Sequence, residues 1–180
     1  MLETKNLIIK ESVFDDCEYF AKWESNEVVT EFFTINEERS YEEIVTEFVR
    51  YNLDPTKLQF TIFNKEEGRP IGRIYLSQIN PACDSLDITR IYIADPADRG
   101  KGYGEEALRL ILDYAFLVLH TERVTIDYFE ANKIAASLYT KVGFTNEGLM
   151  RHAGKKNGKY YNLQLKSMLR AEDYEKIHTK

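Results

Sequence analysis

Apolar and polar residues alternate in several short segments of the chain, and this spacing is typical of half-buried β-strands. The first segment spans Leu7 to Val13. Three more follow in the middle of the chain, and the turn residues Lys65 to Pro70 separate the first two of them. The pattern therefore predicts an antiparallel run of strands over Leu58 to Asn64, Ile71 to Ile79 and Leu86 to Ile93.

A helical spacing of apolar residues occurs in other segments. Ser40, with Glu43 three residues later, has the form of a capping box and marks the start of one helix. Gly143 marks the end of another, because glycine favours the left-handed backbone that closes a helix. We predict helices over Asp15 to Glu24, Ser40 up to Asn52, Glu105 to Leu119 and Ile134 to Val142.

The order of these elements predicts an α+β fold. The helix at Glu105 to Leu119 joins the strand at Leu86 to Ile93 to a strand-like segment at Val124 to Phe129, and such a connection favours parallel pairing. The Asn157-Gly158 turn joins two further strands, Leu149 to His152 and Tyr160 to Leu169. We predict a mixed, mostly antiparallel sheet of about seven strands flanked by about four helices, with one parallel pair.

Length and charge narrow the class of protein. At 180 residues, with 43% apolar residues, the chain fits a single domain over residues 1–180. No segment reaches the roughly 18 apolar residues of a membrane span, and Met1 to Lys10 carries charges, so we expect a cytoplasmic protein without membrane contact. The net charge of −6 argues against direct nucleic-acid binding and suits a cationic substrate. The sequence does not indicate an oligomeric state.

The two cysteines, Cys17 and Cys83, are too few for a disulfide scaffold. Neither has a second cysteine or a histidine at the spacing of metal ligands, so no metal site is predicted. We expect both to be buried free thiols.

Three glycines at alternate positions follow the Leu86 to Ile93 strand and precede the longest helix: Gly100, Gly102 and Gly104. Glycine lets the backbone approach a ligand closely, and the helix that follows presents the positive end of its dipole. The segment Asp95 to Glu105 therefore predicts a site for a phosphate-type anion. The alternative is a flexible turn without a ligand.

The spacing of the glycines distinguishes between phosphate ligands. A nucleoside-triphosphate loop is excluded, because Gly102 follows Lys101 where serine or threonine is required. A dinucleotide-binding loop stays open, since Gly102, Gly104 and Ala107 fit its pattern and Asp127 lies where a ribose ligand could sit. A dinucleotide-binding fold repeats its strand–helix–strand unit, whereas this chain has a single predicted unit after an antiparallel run of strands, and this argues against that alternative.

Two motifs in the chain resemble those of the GNAT acetyltransferase superfamily. The first is Arg99-Gly100-Lys101-Gly102-Tyr103-Gly104, which fits [QR]-x-x-G-x-[GA]. The second, at residues 132–144, has the form N-x-x-A-x-x-L-Y-x-K-x-G-F. The ends of the chain, at residues 2–10 and 143–173, are similar to the Rim-type branch, which acetylates the amino termini of ribosomal proteins.

The resemblance implies how acetyl-coenzyme A is bound. In this family the pantetheine lies between two splayed parallel strands, and here these correspond to Leu86 to Ile93 and Val124 to Phe129. Main-chain groups of Ile91 and Ile93 would bind the pantetheine amides, and an N–H near Tyr92 or Ile93 would polarise the thioester carbonyl. The pyrophosphate would bind the loop, with Asn132 as a further cofactor ligand; the loop residues are Arg99, Gly100, Lys101, Gly102, Tyr103 and Gly104.

The resemblance also implies two catalytic residues. Tyr139 corresponds to the tyrosine that protonates the departing thiolate, and its phenol stays protonated at neutral pH. Asp87 lies where many relatives carry a glutamate that assists deprotonation of the amine. The two-residue period of a strand places Asp87, Thr89 and Ile91 on one face. Glu31 and His152 are the alternative bases.

The predicted function is acetyl-coenzyme A dependent N-acetylation of a primary amine by direct transfer, the acceptor being a protein amino terminus, a polyamine or another small amine. Two alternatives stay open: a non-catalytic coenzyme A-binding module and a dinucleotide-binding oxidoreductase. The family builds its acceptor pocket from segments that correspond here to Glu24 to Ser40 and Arg151 to Asn162. These supply aromatic rings and acids, namely Phe32, Phe33, Tyr160, Tyr161, Glu27, Glu31, Glu37 and Glu38.

Overall fold

The computed structural model describes residues 1–34 and 39–172, and its strands form one sheet. The sheet has eight strands in the order β1-β2-β3-β4-β5-β6-β8-β7. All neighbours are antiparallel except β5 and β6. The strands are β1 Leu2–Glu3, β2 Leu7–Glu11, β3 Leu58–Asn64, β4 Pro70–Asn80, β5 Ser85–Ile93, β6 Arg123–Phe129, β7 Thr145–Lys156 and β8 Lys159–Leu169.

The described part of the chain contains the predicted helices and an additional α-helix between the first two of them. Ser40 caps its helix as expected, because its side chain accepts from Glu43 N and the Glu43 carboxylate accepts from Ser40 N. The additional helix is a single turn that Asn26 caps. None of the described helices is both long and apolar enough to cross a membrane. The helices are α1 Cys17–Glu24, α2 Glu27–Thr30, α3 Tyr41–Asn52, α4 Tyr103–Asp113 and α5 Lys133–Val142.

The helices lie on both faces of the sheet, as β4 shows. Ile74 belongs to the main core together with the apolar stripe of α4, whereas Tyr75 on the opposite face stacks on Tyr51 of α3. Leu108 and Ile111 of α4 are almost fully buried, and each such side chain contributes about 1.5–3 kcal/mol by leaving water. After Asp113 this helix continues into a wider π-helical turn.

The parallel strands β5 and β6 pair over only three positions. The last pair is Asp87 with Thr125. Beyond it β5 continues beside β4 up to Ile93, and β6 continues beside β8 up to Phe129, so the two strands diverge. This confirms the predicted splayed pair and opens a cleft in the sheet.

A β-bulge in β5 changes which side chains face that cleft. Arg90 pairs with Tyr75, but Ile88 pairs with Leu76, so Thr89 is an extra residue in β5. The expectation that Asp87, Thr89 and Ile91 share one face is therefore wrong for Ile91. The extra residue turns Ile91 to the same face as Ile88, toward the main core.

The cysteine expectation is half correct. Cys17 is a buried free thiol on α1, whereas Cys83 is an exposed free thiol in the turn between β4 and β5. Among the described residues, no three metal-ligating side chains cluster as a metal ion would require.

Candidate active site

The main chain of β5 directs hydrogen-bonding groups toward the cleft at alternate residues. Ala94 N donates to Ile71 O of β4 at 2.8 Å, and in an antiparallel pair the residues that bond to the partner alternate. Tyr92 therefore directs its main chain to β4. Ile91 and Ile93 direct theirs toward β6, which no longer pairs with β5 there.

Tyr92 is engaged within the protein through both its carbonyl oxygen and its hydroxyl. Its carbonyl oxygen lies so close to Gly72 of β4 that a Cβ on that glycine would be 2.2 Å away. Its hydroxyl donates to Glu24 at 3.1 Å. The structure thus leaves Ile91 and Ile93, and not Tyr92, as the residues whose main-chain groups face the cleft.

The glycine loop ends in the first turn of α4 with N–H groups that no helical carbonyl accepts. Gly100 and Gly102 have φ values of +75° and +85°, which glycine adopts without steric strain. The first helical hydrogen bond runs from Glu106 N to Gly102 O at 3.0 Å, so Tyr103 and Gly104 keep unpaired N–H groups. Together with the helix dipole they form a site for an anion.

The charged side chains of the loop bind the protein itself. Arg99 donates from Nε to Ile93 O at 3.1 Å and reaches Val28 O of α2 at 3.4 Å. Lys101 pairs with the buried carboxylate of Asp98 at 3.3 Å. These contacts hold the loop against the end of β5, so in this structure the side chain of Arg99 positions the loop.

Helix α5 begins at Asn132, whose side chain accepts from Ala135 N at 3.0 Å. The predicted N-cap is therefore present, and the cap orients the helix that carries Tyr139. Tyr139 is only 7% exposed and packs edge-on against Tyr128 of β6 with ring centroids 5.4 Å apart. Its hydroxyl makes no hydrogen bond to the described residues. Burial raises the pKa of Tyr139, and the negative charges of Asp127 and Asp87 raise it further.

Asp87 lies at the vertex of the cleft and is held by hydroxyl groups. Its Oδ1 accepts from Thr89 Oγ1 at 2.8 Å and its Oδ2 accepts from Thr125 Oγ1 at 2.7 Å. Burial raises the pKa of Asp87, and the two hydrogen bonds oppose that rise. Neither alternative base, Glu31 nor His152, makes a hydrogen bond or ion pair to Asp87 or Tyr139 among the described residues, and both are exposed.

The β7–β8 hairpin lies against α2, which brings together the two segments expected to form the acceptor pocket. Lys156 Nζ donates to Thr30 O at 2.7 Å. Gly154 is so close to Thr34 that a Cβ there would lie 3.1 Å from its methyl carbon. Two of the expected acids, Glu37 and Glu38, lie outside the described residues.

A buried charge network, which the sequence analysis missed, supports β5 from the side of α1. Glu24 is fully buried and accepts from Arg73 at 2.7 Å and from Arg90 at 3.1 Å. Arg39 adds a third contact at 2.9 Å. Burial raises the pKa of Glu24, but the charges of the three arginines outweigh it and hold the pKa below its usual value. The sequence contained one signal of this network: Glu24 is a charged residue on the face of α1 that carries its apolar residues.

Known proteins share both this fold and this sequence pattern. A family model described as an acetyltransferase (GNAT) domain matches residues 6–145. A probable N-acetyltransferase of Bacillus subtilis (strain 168) is 31% identical over 144 residues, which cover 79% of this chain and 77% of that protein. Spermidine N(1)-acetyltransferase of Escherichia coli (strain K12) is 25% identical over 148 residues, covering 82% of this chain and 77% of that protein.

Solved structures give the same fold at lower identity. The crystal structure of spermidine N-acetyltransferase from Vibrio cholerae in complex with CoA and spermine has a TM-score of 0.86 and 21% identity. The match covers 95% of this chain and 99% of the Vibrio cholerae chain. A dinucleotide-binding sheet repeats its strand–helix–strand unit, whereas the described sheet has one parallel pair, so that interpretation is wrong. With the family model matched over residues 6–145, this protein belongs to the GNAT acetyltransferase family.

Proposed function

We propose that this protein transfers the acetyl group of acetyl-coenzyme A to a primary amine of a small cationic molecule such as a polyamine. The observation that carries the proposal is the cleft between β5 and β6, which has the unpaired N–H groups of the glycine loop near one end and the buried Tyr139 beside it. The whole chain, residues 1–180, would act as one domain in the cytoplasm.

The cofactor would bind along this cleft. The N–H and C=O of Ile91 and the N–H of Ile93 suit the amides of pantetheine, which would add to β5 like another strand, whereas Ile93 O already accepts from Arg99 Nε. The N–H groups from Gly100 to Gly104 suit the pyrophosphate. The carboxamide nitrogen of Asn132 remains available for the cofactor, because only its oxygen is used in the cap.

The transfer itself requires a new C–N bond and a broken C–S bond. The neutral amine attacks the thioester carbonyl, and the N–H of Ile93 or Ile91 stabilises the negative charge that develops on the carbonyl oxygen. Tyr139 then gives its proton to the departing thiolate. Because its pKa is raised, the phenol is protonated at neutral pH, as a proton donor must be. Asp87 supplies negative charge where the ammonium enters and so attracts the cation into the cleft.

The charge of the cleft supports a small cation as acceptor. Asp87 forms no ion pair with a described lysine, arginine or histidine. Aromatic rings stand nearby on the same side of the sheet, since Phe33 lies 5.5 Å from Tyr92 between ring centroids. Acetyltransferases of Escherichia coli and Vibrio cholerae that match this chain are named for spermidine.

A protein amino terminus is the second candidate acceptor. The observation that favours it is the similarity of residues 2–10 and 143–173 to the Rim-type branch. Its substrate would enter between α2 and the β7–β8 hairpin as an extended peptide.

The experiment is a thiol-release assay with acetyl-coenzyme A and a panel of spermidine, aminoglycosides and short peptides with free amino termini. We expect amine-dependent thiol release, fastest with polyamines, and an acetylated product in the mass spectrum. Fastest release with the peptides would favour the Rim-type alternative. Tight coenzyme A binding without release for any amine would contradict the proposal and favour a non-catalytic module.

A further inference from the structure

A second carboxylate, that of Asp127 on β6, lies at the vertex of the cleft opposite Asp87. Thr125 is the last residue of β6 that pairs with β5, and its partner there is Asp87. Asp127 follows two residues later, so its side chain is on the same face as Thr125, and it is the first on that face after the strands separate. The two strands therefore each place a carboxylate where the cleft opens.

The two carboxylates have different partners. Both oxygens of Asp87 accept threonine hydroxyls. Asp127 makes no hydrogen bond and no ion pair with the described residues. The titratable groups that face it are Asp87 from β5 and Tyr139 from α5. Its neighbour on β8 is Leu165. Unlike those of Asp87, the carboxylate oxygens of Asp127 accept no hydrogen bond from a described residue, and no described cation pairs with them.

The pKa of Asp127 is raised toward neutral pH, although the residue keeps an exposed surface in the cleft. Burial raises its pKa, and the charge of Asp87 raises it further, to about 6. A second group faces the same cleft, because the phenol of Tyr139 lies in the field of both carboxylates and its hydroxyl makes no hydrogen bond to a described residue.

We propose that Asp127 accepts the proton that the acceptor's ammonium must lose, while Asp87 stays charged and attracts the cation. This inference rests on the proposed amine acetylation. The ammonium gives one proton to Asp127, which releases it to water. The amine nitrogen then forms the C–N bond as the C–S bond breaks. The second proton that the nitrogen loses balances the proton that Tyr139 gives to the thiolate.

The test compares Asp127→Asn with Asp84→Asn, using acetyl-coenzyme A and spermidine, or the panel amine with the fastest thiol release. Asp84 is an exposed carboxylate in the turn before β5, and asparagine tolerates its positive φ of 46°. We expect kcat/KM at pH 7.5 to fall by about 10²- to 10⁴-fold in Asp127→Asn and to stay unchanged in the control. Coenzyme A affinity, measured by calorimetry, should be the same in both.

The pH profile separates a proton acceptor from a structural group. In the wild type, kcat/KM should rise with pH through about 6, where Asp127 loses its proton. Asp127→Asn should lack this rise. Asp87→Asn should shift it to lower pH, because the charge that raises the pKa of Asp127 is removed. This shift, and the wild-type profile, can be measured even if Asp127→Asn does not fold.

Two failures are distinguishable. If the wild type releases no thiol with any amine, the proposed function is wrong. If the wild type is active and Asp127→Asn keeps its rate and its rise through pH 6, or Asp87→Asn leaves that rise in place, the assignment of Asp127 is overturned while the acetyltransferase function stands.

Discussion

At the scale of single residues, the sequence motif identified Tyr139 but not its surroundings. The motif at residues 132–144 contains this tyrosine, and the apolar spacing places it on α5. It does not show that Asp87 and Asp127 come together across the cleft, because the two residues are 40 positions apart in the chain. From the sequence, Asp127 was only a possible ribose ligand. The chemistry of the site depends on this long-range juxtaposition.

A carboxylate kept free in a partly buried cleft should reduce stability at neutral pH. The pKa of Asp127 is raised in the folded protein, so the protonated form stabilises the fold, and that contribution is lost as pH rises through about 6. We expect Asp127→Asn to raise the Tm at pH 8 by about 1–3 °C, a modest value because the side chain is partly exposed. The gain should shrink between pH 6 and pH 4.

Thermal unfolding at pH 8, 6 and 4, followed by circular dichroism, measures this effect. Asp84→Asn is again the control and should show no gain that depends on pH in this range. If Asp127→Asn and the wild type have equal Tm values at pH 8, the prediction is wrong. The ionised carboxylate of Asp127 would then be as stable in the folded protein as in water.

At the scale of elements, periodicity predicted the regular segments and missed the irregular ones. The strand at Leu58–Asn64 has the predicted bounds. The bulge at Thr89 was missed, since an extra residue is visible only against the partner strand β4. The single-turn α2 was missed because four residues carry no helical period. Both irregularities adjoin the proposed acceptor side of the site.

The start of α4 provides a test of cofactor binding. A Cβ at Gly104 would meet only Leu138 Cδ2 at 3.8 Å, an ordinary contact, so Gly104→Val should fold. Its side chain would obstruct the approach of the pyrophosphate to the unpaired N–H groups. We expect calorimetry to show coenzyme A affinity at least about tenfold weaker, which corresponds to about 1.4 kcal/mol.

The matched control is Arg109→Val, which adds the same β-branched side chain to an exposed position of α4. It should bind coenzyme A like the wild type. Equal affinity in folded Gly104→Val would show that the pyrophosphate does not approach this turn.

At the scale of the whole molecule, the charge network around Glu24 joins elements that are far apart in sequence. Glu24 ends α1, while Arg73 and Arg90 lie on β4 and β5, 49 and 66 residues away. The sequence shows three charged residues that would ordinarily be exposed, and nothing in it indicates that they meet. Because Arg90 follows the bulge at Thr89, the network also fixes the part of β5 that carries Asp87.

Removing one member of this network should destabilise the whole fold. Glu24→Ala leaves the buried guanidinium groups of Arg73 and Arg90 with the more distant carboxylate of Glu47, at 3.7 and 3.3 Å, and breaking a buried ion pair in this way costs about 3–5 kcal/mol. Since the pKa of Glu24 is lowered in the fold, its stabilisation is present above its ordinary pKa and is lost as pH falls through the lowered value.

Urea unfolding at pH 7.5, and then at a series of pH values that decreases from 4.5, measures both parts of this prediction. The control Glu18→Ala changes an exposed glutamate on the same helix and should cost little. A free energy of unfolding for Glu24→Ala within 1 kcal/mol of the wild type, roughly the scale of a surface ion pair, would show that the network adds little to stability.

The proposed acetyl transfer requires Tyr139 to protonate the departing thiolate. The turnover number of Tyr139→Phe tests this requirement most directly. The substitution removes only the hydroxyl and keeps the ring packed against Tyr128. With a verified amine acceptor, and under conditions where chemistry limits the rate, we predict that kcat falls by about 10²- to 10⁴-fold with coenzyme A affinity unchanged. A kcat equal to that of the wild type would contradict the account.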